Sequence, residues 1–425
     1  MKRTLAFFLA AVMTALVLCS CGNPDEFSDG ERLSGQYSRK KSAEETFNYK
    51  DGAIEPPQSY SSFVTEVTAH TLGYYKAREK QSADSAFAFS PAAAMLMLGA
   101  VEGGASGETA QELQVMLGGN SDSAKTCSSY FKSRMESVSS LGLKKDEAPS
   151  QYISLGGALF FDDGVNLKSA FLQANADYYG FDVFSSDLSS GGSDVKIKNY
   201  LSLDEAPAVS DDGFYSVVTS AVSDNWLEPY SGSGKTAAFK GTGGEREMTF
   251  YTADEWTVKS DRATGIVKYT EKNPLKLILI MPNTDVSIGD YIAGLDSKEY
   301  TKLLDSTDIT KKTPAAVPAF SIEADKAAVS VSSALNDGCR LYSVFSDNAD
   351  YEAMSFEEEL SFKDMYEASP AIYYGAGGIN ADIQAQFSEN TEKLDADGAL
   401  VFDRPFIFIL ADNETSIPVI MGVYR

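Results

Sequence analysis

"YYGAGGINADIQAQFSENTEKLDADGALVFDRPF", residues 373–406, joins a glycine-rich half to a polar half that runs into an aromatic strand preceded by proline. Gly375-Ala376-Gly377-Gly378-Ile379-Asn380 falls one residue short of the dinucleotide-binding GxGxxG pattern. That pattern works only between a strand and a helix, because the pyrophosphate rests on the helix N-terminus. No helical periodicity follows Asn380. A phosphate cradle is therefore disfavoured, which leaves a slack linker or a loop with a task of its own. The rest of the chain has to decide between them.

Downstream, "RPFIFIL", the turn "ADNETS" and "IPVIMGVY" have the pattern of a β-hairpin. Upstream, "LKLILIMP" (275–282) is almost continuously apolar and ends in proline, as a strand buried on both faces does. From Tyr152 the chain alternates strands and turns, with helical interruptions such as "LKSAFLQANADYYG". Before Tyr152 it is helical. Phe63, Val67, His70 and Tyr74 repeat at helical spacing, and Ser90-Pro91 opens an apolar helix. "GETAQELQVMLGG" is a further helix closed by glycines. Helices that lead and strands that follow define an α+β class, and no linker-like break divides residues 58–425, which read as a single domain.

The N-terminus has a different character. Lys2-Arg3, the run "LAFFLAAVMTALVL" and Leu18-Cys19-Ser20-Cys21 describe an export signal over residues 1–20, too short to be a comfortable membrane span. The ending resembles a lipoprotein lipobox, which implies cleavage and lipid attachment at Cys21, although Cys19 inside the box is unusual. A plain secretory signal without lipid is the other reading. Residues 22–57 are polar and poor in aliphatics, so a flexible tether is expected over residues 21–57. Export to the bacterial surface or the medium follows.

Composition excludes several function classes. The formal charge is −25, and loss of Lys2 and Arg3 with the leader makes it more acidic by two. Such a surface repels nucleic acid and anionic lipid, so no nucleic-acid partner is expected and membrane contact is expected through the lipid anchor only. Cys127 and Cys339 remain after the leader, as one disulfide or as two buried thiols. The single histidine, His70, shares its helix face with Phe63, Val67 and Tyr74 and reads as a packed residue rather than a catalytic base. Zinc ligation lacks the His and Cys it needs, and no metal or cofactor is expected. "SGSGKT" (231–236) resembles the tail of a P-loop, but Pro229 stands where the first glycine belongs, so it reads as a loop. Acidic runs such as Glu357-Glu358-Glu359 read as a solvated face. Together the residues argue against an enzyme.

The order of segments then becomes informative. "FAFSPAAAMLMLGAVEGGASGETAQELQVMLG" resembles the serpin signature in which a strand and Ser-Pro open a helix, followed by Gly-Ala and a Thr-initiated helix. "GGALFFDDGVNLKSAFLQANADYYGFDVF", "LILIMPN" (277–283), "VPAFSIEA" (317–324) and "SALNDGCRLYSVFSDNADYEAMS" resemble successive serpin segments. "FDRPFIFIL" and "IPVIMGVYR" resemble the family's closing strands. No single motif is decisive, but the resemblance is colinear over about 360 residues. "TSAVSDNW" (219–226) keeps Trp226 but lacks the family's asparagine and aromatic pair, which implies altered packing behind the main sheet.

This resemblance implies a serpin fold: N-terminal helices packed on a large mixed β-sheet, further sheets, and an exposed reactive-centre loop at about 375–402. It implies a monomeric inhibitor that offers the loop to an extracellular serine protease as a suicide substrate. The cleaved arm then enters the main sheet and traps the protease covalently. A non-inhibitory serpin-fold binding or structural protein, cleaved without trapping, is the alternative. The family pattern lays on without a gap: Gly377 falls on the hinge glycine, Gly375 on the usual glutamate and Gly378 on the usual threonine. The hinge therefore comprises Gly375, Gly377, Gly378, Ile379, Asn380, Ala381, Asp382 and Ile383. Counting from the hinge and back from Pro405 brackets the scissile bond within Thr391, Glu392, Lys393, Leu394 and Asp395. Lys393 is the only basic residue there, flanked by acids, so elastase- or subtilisin-like enzymes are favoured over trypsin-like ones. An inserted strand alternates its faces. With Gly378 inward, Asn380, Asp382, Gln384 and Gln386 also point inward, and burying Asp382 unpaired is costly. A one-residue slip turns Ile379, Ala381, Ile383, Ala385 and Phe387 inward instead. Both frames stay open.

Overall fold

The computed structural model describes residues 28, 31–40, 55–82, 85–137, 150–189, 192–210, 213–272, 274–357, 359–380, 387–388, 392–395 and 397–425. Helices come first: α1 (Tyr60–Gln81), then after strand β1 (Phe87–Phe89) α2 (Pro91–Glu102), α3 (Gly107–Met116) and α4 (Ser121–Glu136). β2 (Tyr152–Phe161), α5 (Ser169–Tyr178), β3 (Asp182–Ser185), α6 (Ser193–Tyr200) and β4 (Phe214–Asn225) follow. The middle of the chain gives β5 (Gly232–Ser233), β6 (Lys235–Gly241), β7 (Gly244–Lys259), β8 (Ala263–Tyr269) and β9 (Leu275–Pro282). α7 (Ile288–Ala293), α8 (Ser297–Asp305), β10 (Lys312–Pro318), β11 (Phe320–Ile322), β12 (Val329–Ser330) and α9 (Ser332–Cys339) lead to the last third. That third comprises β13 (Phe362–Ala368), β14 (Ile372–Tyr374), β15 (Gly378–Ile379), β16 (Phe387–Ser388), β17 (Leu400–Val401), β18 (Phe406–Asp412) and β19 (Pro418–Tyr424). The class is α+β, as the pattern of helices and strands predicts.

Among the described residues the strands form a nine-stranded sheet, ordered β1-β19-β18-β9-β8-β7-β10-β17 with β6 on β7. An eight-stranded sheet has the order β11-β14-β15-β4-β13-β12, with β2 and β3 beyond β4. The predicted hairpin is β18–β19, and its strands and β9 are buried along nearly their whole length, which explains their unbroken apolar sequence. α2 is buried at every position. Its start is set by Pro91 and by Ser90, whose side chain accepts from the Ala93 N–H. β4 separates two apolar layers. Phe214, Val218 and Val222 join the main core with α2, whereas Tyr215 and Val217 pack with Phe184, Ile197 and Tyr200 under α6. α1 and α9 meet at Gly73 and Gly338, where a Cβ on Gly73 would lie 2.2 Å from the Gly338 carbonyl oxygen. Only glycine permits that approach.

One expectation is corrected. Within the stretch expected to be a tether, residues 31–40 are docked on β3, α5 and α6. Arg32 grips Asp182 with Nε and Nη2 at 3.0 and 2.7 Å, and the Ser185 N–H donates to the Glu31 carbonyl at 2.8 Å. The Lys40 N–H donates to Asp177. Burial alone would raise the Glu31 carboxyl, but Lys196 and hydrogen bonds from Ser28 and Ser186 outweigh it and pull the group down to about 2. A polar composition reads as tether only when its charges lack partners, and here they have them.

The C-terminal hairpin is tied to α4 by a buried ion pair, Arg134 Nη1 to Asp412 Oδ2 at 2.6 Å, with side chains 2% and 0% exposed. Asp412→Ala leaves the guanidinium in the core with only the exposed Glu414 opposite it. The variant is expected to lose roughly 3–5 kcal/mol of stability in urea unfolding; a loss below about 1 kcal/mol would show that the pair does not hold the hairpin.

Candidate functional site

β4 carries the site. One of its edges is filled by β2, antiparallel from Phe214↔Phe161 to Ser223↔Tyr152. The other edge is divided. β13 runs parallel to it from Phe362↔Phe214 to Ala368↔Thr219. Ser369-Pro370 then interrupts the strand, and proline has no N–H to give a ladder. Beyond that point β14 pairs with β11, and a seam one strand wide opens between β14 and β4.

The glycine-rich stretch fills the top of this seam. The chain reverses at Ala376-Gly377, with the Gly375 N–H donating to the Gly378 carbonyl at 3.0 Å. β15 then pairs with both walls: Gly378↔Asn225 and Ile379↔Asp224 on β4, and Ile379↔Tyr374 on β14. The turn is fastened from the side by three donors, each at 2.9 Å. The Trp226 N–H reaches the Gly377 carbonyl, Trp226 Nε1–H the Gly375 carbonyl, and the Tyr230 N–H the Ala376 carbonyl. A Cβ on Gly375 would lie 2.9 Å from the Tyr373 ring. The stretch is thus a hairpin, and among the described residues it is followed by a strand rather than opening a helix, as a phosphate cradle would.

Register assigns the faces. Partners across a ladder share a face, so Ile379 takes the face of Asp224, Val222 and Val218, which is the inner one. It is 0% exposed and belongs to the main core. Of the two frames consistent with the sequence, the one adopted has Ile379 inward, and the frame with Gly378 as the first inward residue is not the one seen. An isoleucine gains by burial what a glycine cannot. Asn380 then leaves the ladder at φ 47°, in the left-handed region that asparagine tolerates better than most residues. Ala381, Asp382 and Ile383 lie outside the described residues, as do Thr391 and the lipidation candidate Cys21.

Beneath the hinge is a polar cluster that sequence reasoning did not find. Tyr230 and Tyr374 join hydroxyls at 2.5 Å, and Trp226 packs on Tyr374. Lys268 Nζ stands 2.6 Å from Glu255 Oε1 and 4.1 Å from the centre of the Tyr230 ring. Burial pushes the Glu255 carboxyl up and the Lys268 ammonium down, against their mutual attraction. Its members come from four separate strands and loops, so no local motif announces it.

The remaining scissile candidates lie on another edge. The Thr236 N–H donates to the Glu392 carbonyl at 3.0 Å and the Leu394 N–H to the Thr236 carbonyl at 2.9 Å, a parallel bridge centred on Lys393. Lys235 pairs with the Glu392 carboxylate. Upstream, β16 pairs in parallel with β5. "SGSGKT" is therefore not a plain loop: it forms β5 and the start of β6, the edge on which this part of the chain lies. Glu392, Lys393 and Asp395 are exposed, and Leu394 is half-buried.

Other candidates fall away. His70 is half-buried on α1 with Glu66 3.9 Å from its ring nitrogen, and burial lowers its pKa. Cys127 and Cys339 are free and buried. Among the described residues no cluster of three or more His, Cys, Asp and Glu is placed to hold a metal, and no helix is long and apolar enough to cross a membrane.

Just below the seam, on β13, lies Glu367, opposite Val218. Its carboxylate accepts the Ser90 N–H at 2.6 Å and the Tyr74 hydroxyl at 3.3 Å. Burial raises its pKa above the usual 4.5, and Arg78 offsets this only in part. A carboxyl raised on folding contributes stability that is fully present below its unfolded value and is lost as pH climbs through the folded one. Glu367→Gln keeps an acceptor for Ser90 and removes the titration. Its melting temperature should exceed that of the unaltered protein at pH 7.5, and the gap should close at pH 4.5. Equal melting temperatures at both pH values would refute the buried-carboxylate account.

Comparison with known proteins places this geometry. A family model described as Serpin (serine protease inhibitor) matches residues 65–202 and 242–425. The native state of tengpin, a thermophilic serpin, superposes with a TM-score of 0.70 at 18% identity, covering 92% of this chain and 98% of that one. Human thyroxine-binding globulin complexed with its hormone gives 0.68 at 16% identity, over 86% and 98%. Native protease nexin-1 with heparin gives 0.67 at 14%, over 86% and 99%. At such identities these structures speak for the fold alone. No curated protein matches the chain significantly.

Proposed function

The chain belongs to the serpin family, one of protease inhibitors rather than enzymes, and on that premise we propose that it traps an extracellular serine protease as a suicide substrate. The observation that carries this reading is the seam between β4 and β14, with Gly378 and Ile379 already seated in it and Ile379 facing the core.

The protease serine attacks the scissile carbonyl within residues 391–395. The peptide bond breaks, the amine on the C-terminal side leaves with a proton from the protease's acid, and an ester holds the N-terminal arm. If that arm moves into the seam before water cleaves the ester, the protease is carried along and its site distorted. The β15 register predicts where the arm would go: Ala381 opposite Val222, Ile383 opposite Ser220, Ala385 opposite Val218 and Phe387 opposite Ser216, all on the inner face. Asn380, Asp382, Gln384 and Gln386 then face outward, so no lone carboxylate enters the core. This frame favours trapping over the non-inhibitory alternative. β13 must give up its ladder to Phe214–Thr219 of β4 for the strand to pass.

Glu392–Leu394 already has the extended form in which proteases bind substrates, with its other edge turned away from β6. Glu392 and Asp395 flank Lys393, which opposes trypsin-like enzymes and supports an elastase- or subtilisin-like target. Anchorage by a lipid on Cys21 would hold this bait at the outer surface of the cell.

Two experiments bear on this. Incubation with an elastase-like and a subtilisin-like protease should give a complex that survives denaturing electrophoresis, and a C-terminal fragment beginning within residues 392–396 by mass spectrometry. Clean cleavage without a complex would instead support a non-inhibitory protein, and a fragment beginning elsewhere would overturn the loop assignment. For the anchor, Cys21→Ala should move the protein from the membrane fraction to the medium, and unchanged partitioning refutes lipidation.

A further inference from the structure

Among the described residues, ladder pairing in the seam gives way at Asn380 to a specific side-chain construction. The Asn380 N–H donates to the Tyr373 carbonyl at 2.9 Å, as the next ladder pair requires. The return bond is not made by the backbone. The Tyr373 N–H donates at 2.7 Å to Oδ1 of the Asn380 side chain, while the Asn380 carbonyl has turned to accept from Ser223 Oγ at 3.0 Å. Nδ2 of the same carboxamide donates to two carbonyls, Val222 on β4 and Ala371 ahead of β14, each at 2.9 Å. One N–H and two C=O groups fix which end of the amide is oxygen.

These three groups are among those an advancing strand would use. In the β15 register Ala381 stands opposite Val222 and Asp382 opposite Ala371. A continued ladder would satisfy the Tyr373 N–H with the carbonyl of residue 380, the Val222 carbonyl with the N–H of 381, and the Ala371 carbonyl with the N–H of 382. The carboxamide takes all three places at once, because a side-chain amide has the donors and acceptor of a peptide group. The left-handed backbone at 380 is what swings it into the seam.

We propose that the Asn380 side chain is a removable plug that holds the loop two residues into the sheet, and that it must withdraw before the strand advances. Asn380 is thus a positioning residue for insertion, and this inference deepens the trapping mechanism proposed above. It accounts for why the ladder gives way at Asn380 although the frame beyond it is apolar inward. The Tyr373 N–H and the Val222 and Ala371 carbonyls are satisfied without a strand, so these groups do not draw Ala381 in.

The test uses the full chain carrying Asn380→Gly, which removes the carboxamide and keeps the left-handed backbone accessible, and Asn380→Asp, which keeps the acceptor and loses both donors. Amide exchange in the uncleaved proteins is followed by mass spectrometry. In the glycine variant the Tyr373 amide should exchange about tenfold faster or more, or those of 381–383 should become protected as the strand advances unbidden; the aspartate variant should fall between. Exchange unchanged at both places overturns the plug. The second readout is insertion after loop cleavage, followed by Trp226 fluorescence in a Trp256→Phe background, since the chain has two tryptophans and Trp226 is bonded to the hinge. Insertion should be several-fold faster in the glycine variant, and slower insertion would show that Asn380 starts the strand rather than stops it. Should the cleaved unaltered protein give neither a fluorescence change nor a rise in melting temperature, the trapping reading fails, and the exchange data still decide the plug.

Discussion

Every backbone N–H and C=O inside a sheet must find a partner, and this molecule is arranged around a place where two strands decline to supply one. β4 and β13 pair until Thr219 and Ala368, and then Ser369-Pro370 forces them apart. Three consequences follow from that separation. A strand-wide seam opens, the chain must turn back to fill it, and whatever fills it must match the ladders on both walls. The glycine-rich turn, the fastening by Trp226 and Tyr230, and the Asn380 carboxamide are successive answers to a single unmet demand for hydrogen bonds.

The surroundings keep the seam from closing by collapse. Trp226, Tyr230, Tyr374 and the buried Lys268–Glu255 pair pack together beneath the turn. Buried ion pairs add little net stability over apolar packing, but they are intolerant of displacement, because a shift leaves a charge without its partner. Tyr374 ties the two features together: it meets Tyr230 edge-on in this cluster, and it pairs with Ile379 in the sheet. The turn therefore sits on a floor that resists deformation, whereas the wall formed by β13 further down is held to β4 by its ladder bonds and by the stacked pairs Phe362–Phe214 and Tyr366–Tyr215.

What was legible in the sequence divides along physical lines. Continuous apolar runs such as 275–282 and the hairpin at 406–424 could be read, because burial on both faces leaves few alternatives. The glycine-rich stretch could be singled out by its place in an ordered series of segments. The face of the inserted strand could not, since a one-residue shift inverts every side chain and both frames were chemically coherent; the register with Asp224 settled it. The docking of residues 31–40 escaped because its partners, Asp182 and Lys196, lie some 150 residues away in sequence. Asn380 escaped because an asparagine among glycines looks like a solvated turn residue, and only three-dimensional neighbours reveal that its amide does the work of a peptide group.

The plug also constrains the energetics of any insertion. Exchanging the Asn380 carboxamide for the backbone of residues 380–382 replaces its three hydrogen bonds one for one, adds return bonds from the Val222 and Ala371 N–H groups, and gives up the bond from Ser223 Oγ, so the top of the seam supplies little of the driving force. Lower down, ladder bonds between β4 and β13 are replaced by bonds from both strands to the newcomer, a gain of roughly 0.5–1.5 kcal/mol for each additional bond. The apolar frame supplies the rest. Ile383 and Phe387 would each contribute about 1.5–3 kcal/mol on passing from water to the core, while the polar residues between them stay solvated. Most of the gain would therefore accrue only after the strand has advanced well past Asn380, and little is recovered at the first step. On the proposed mechanism that ordering, a barrier at the plug with most of the reward beyond it, would keep the strand out of the sheet until the loop is cut.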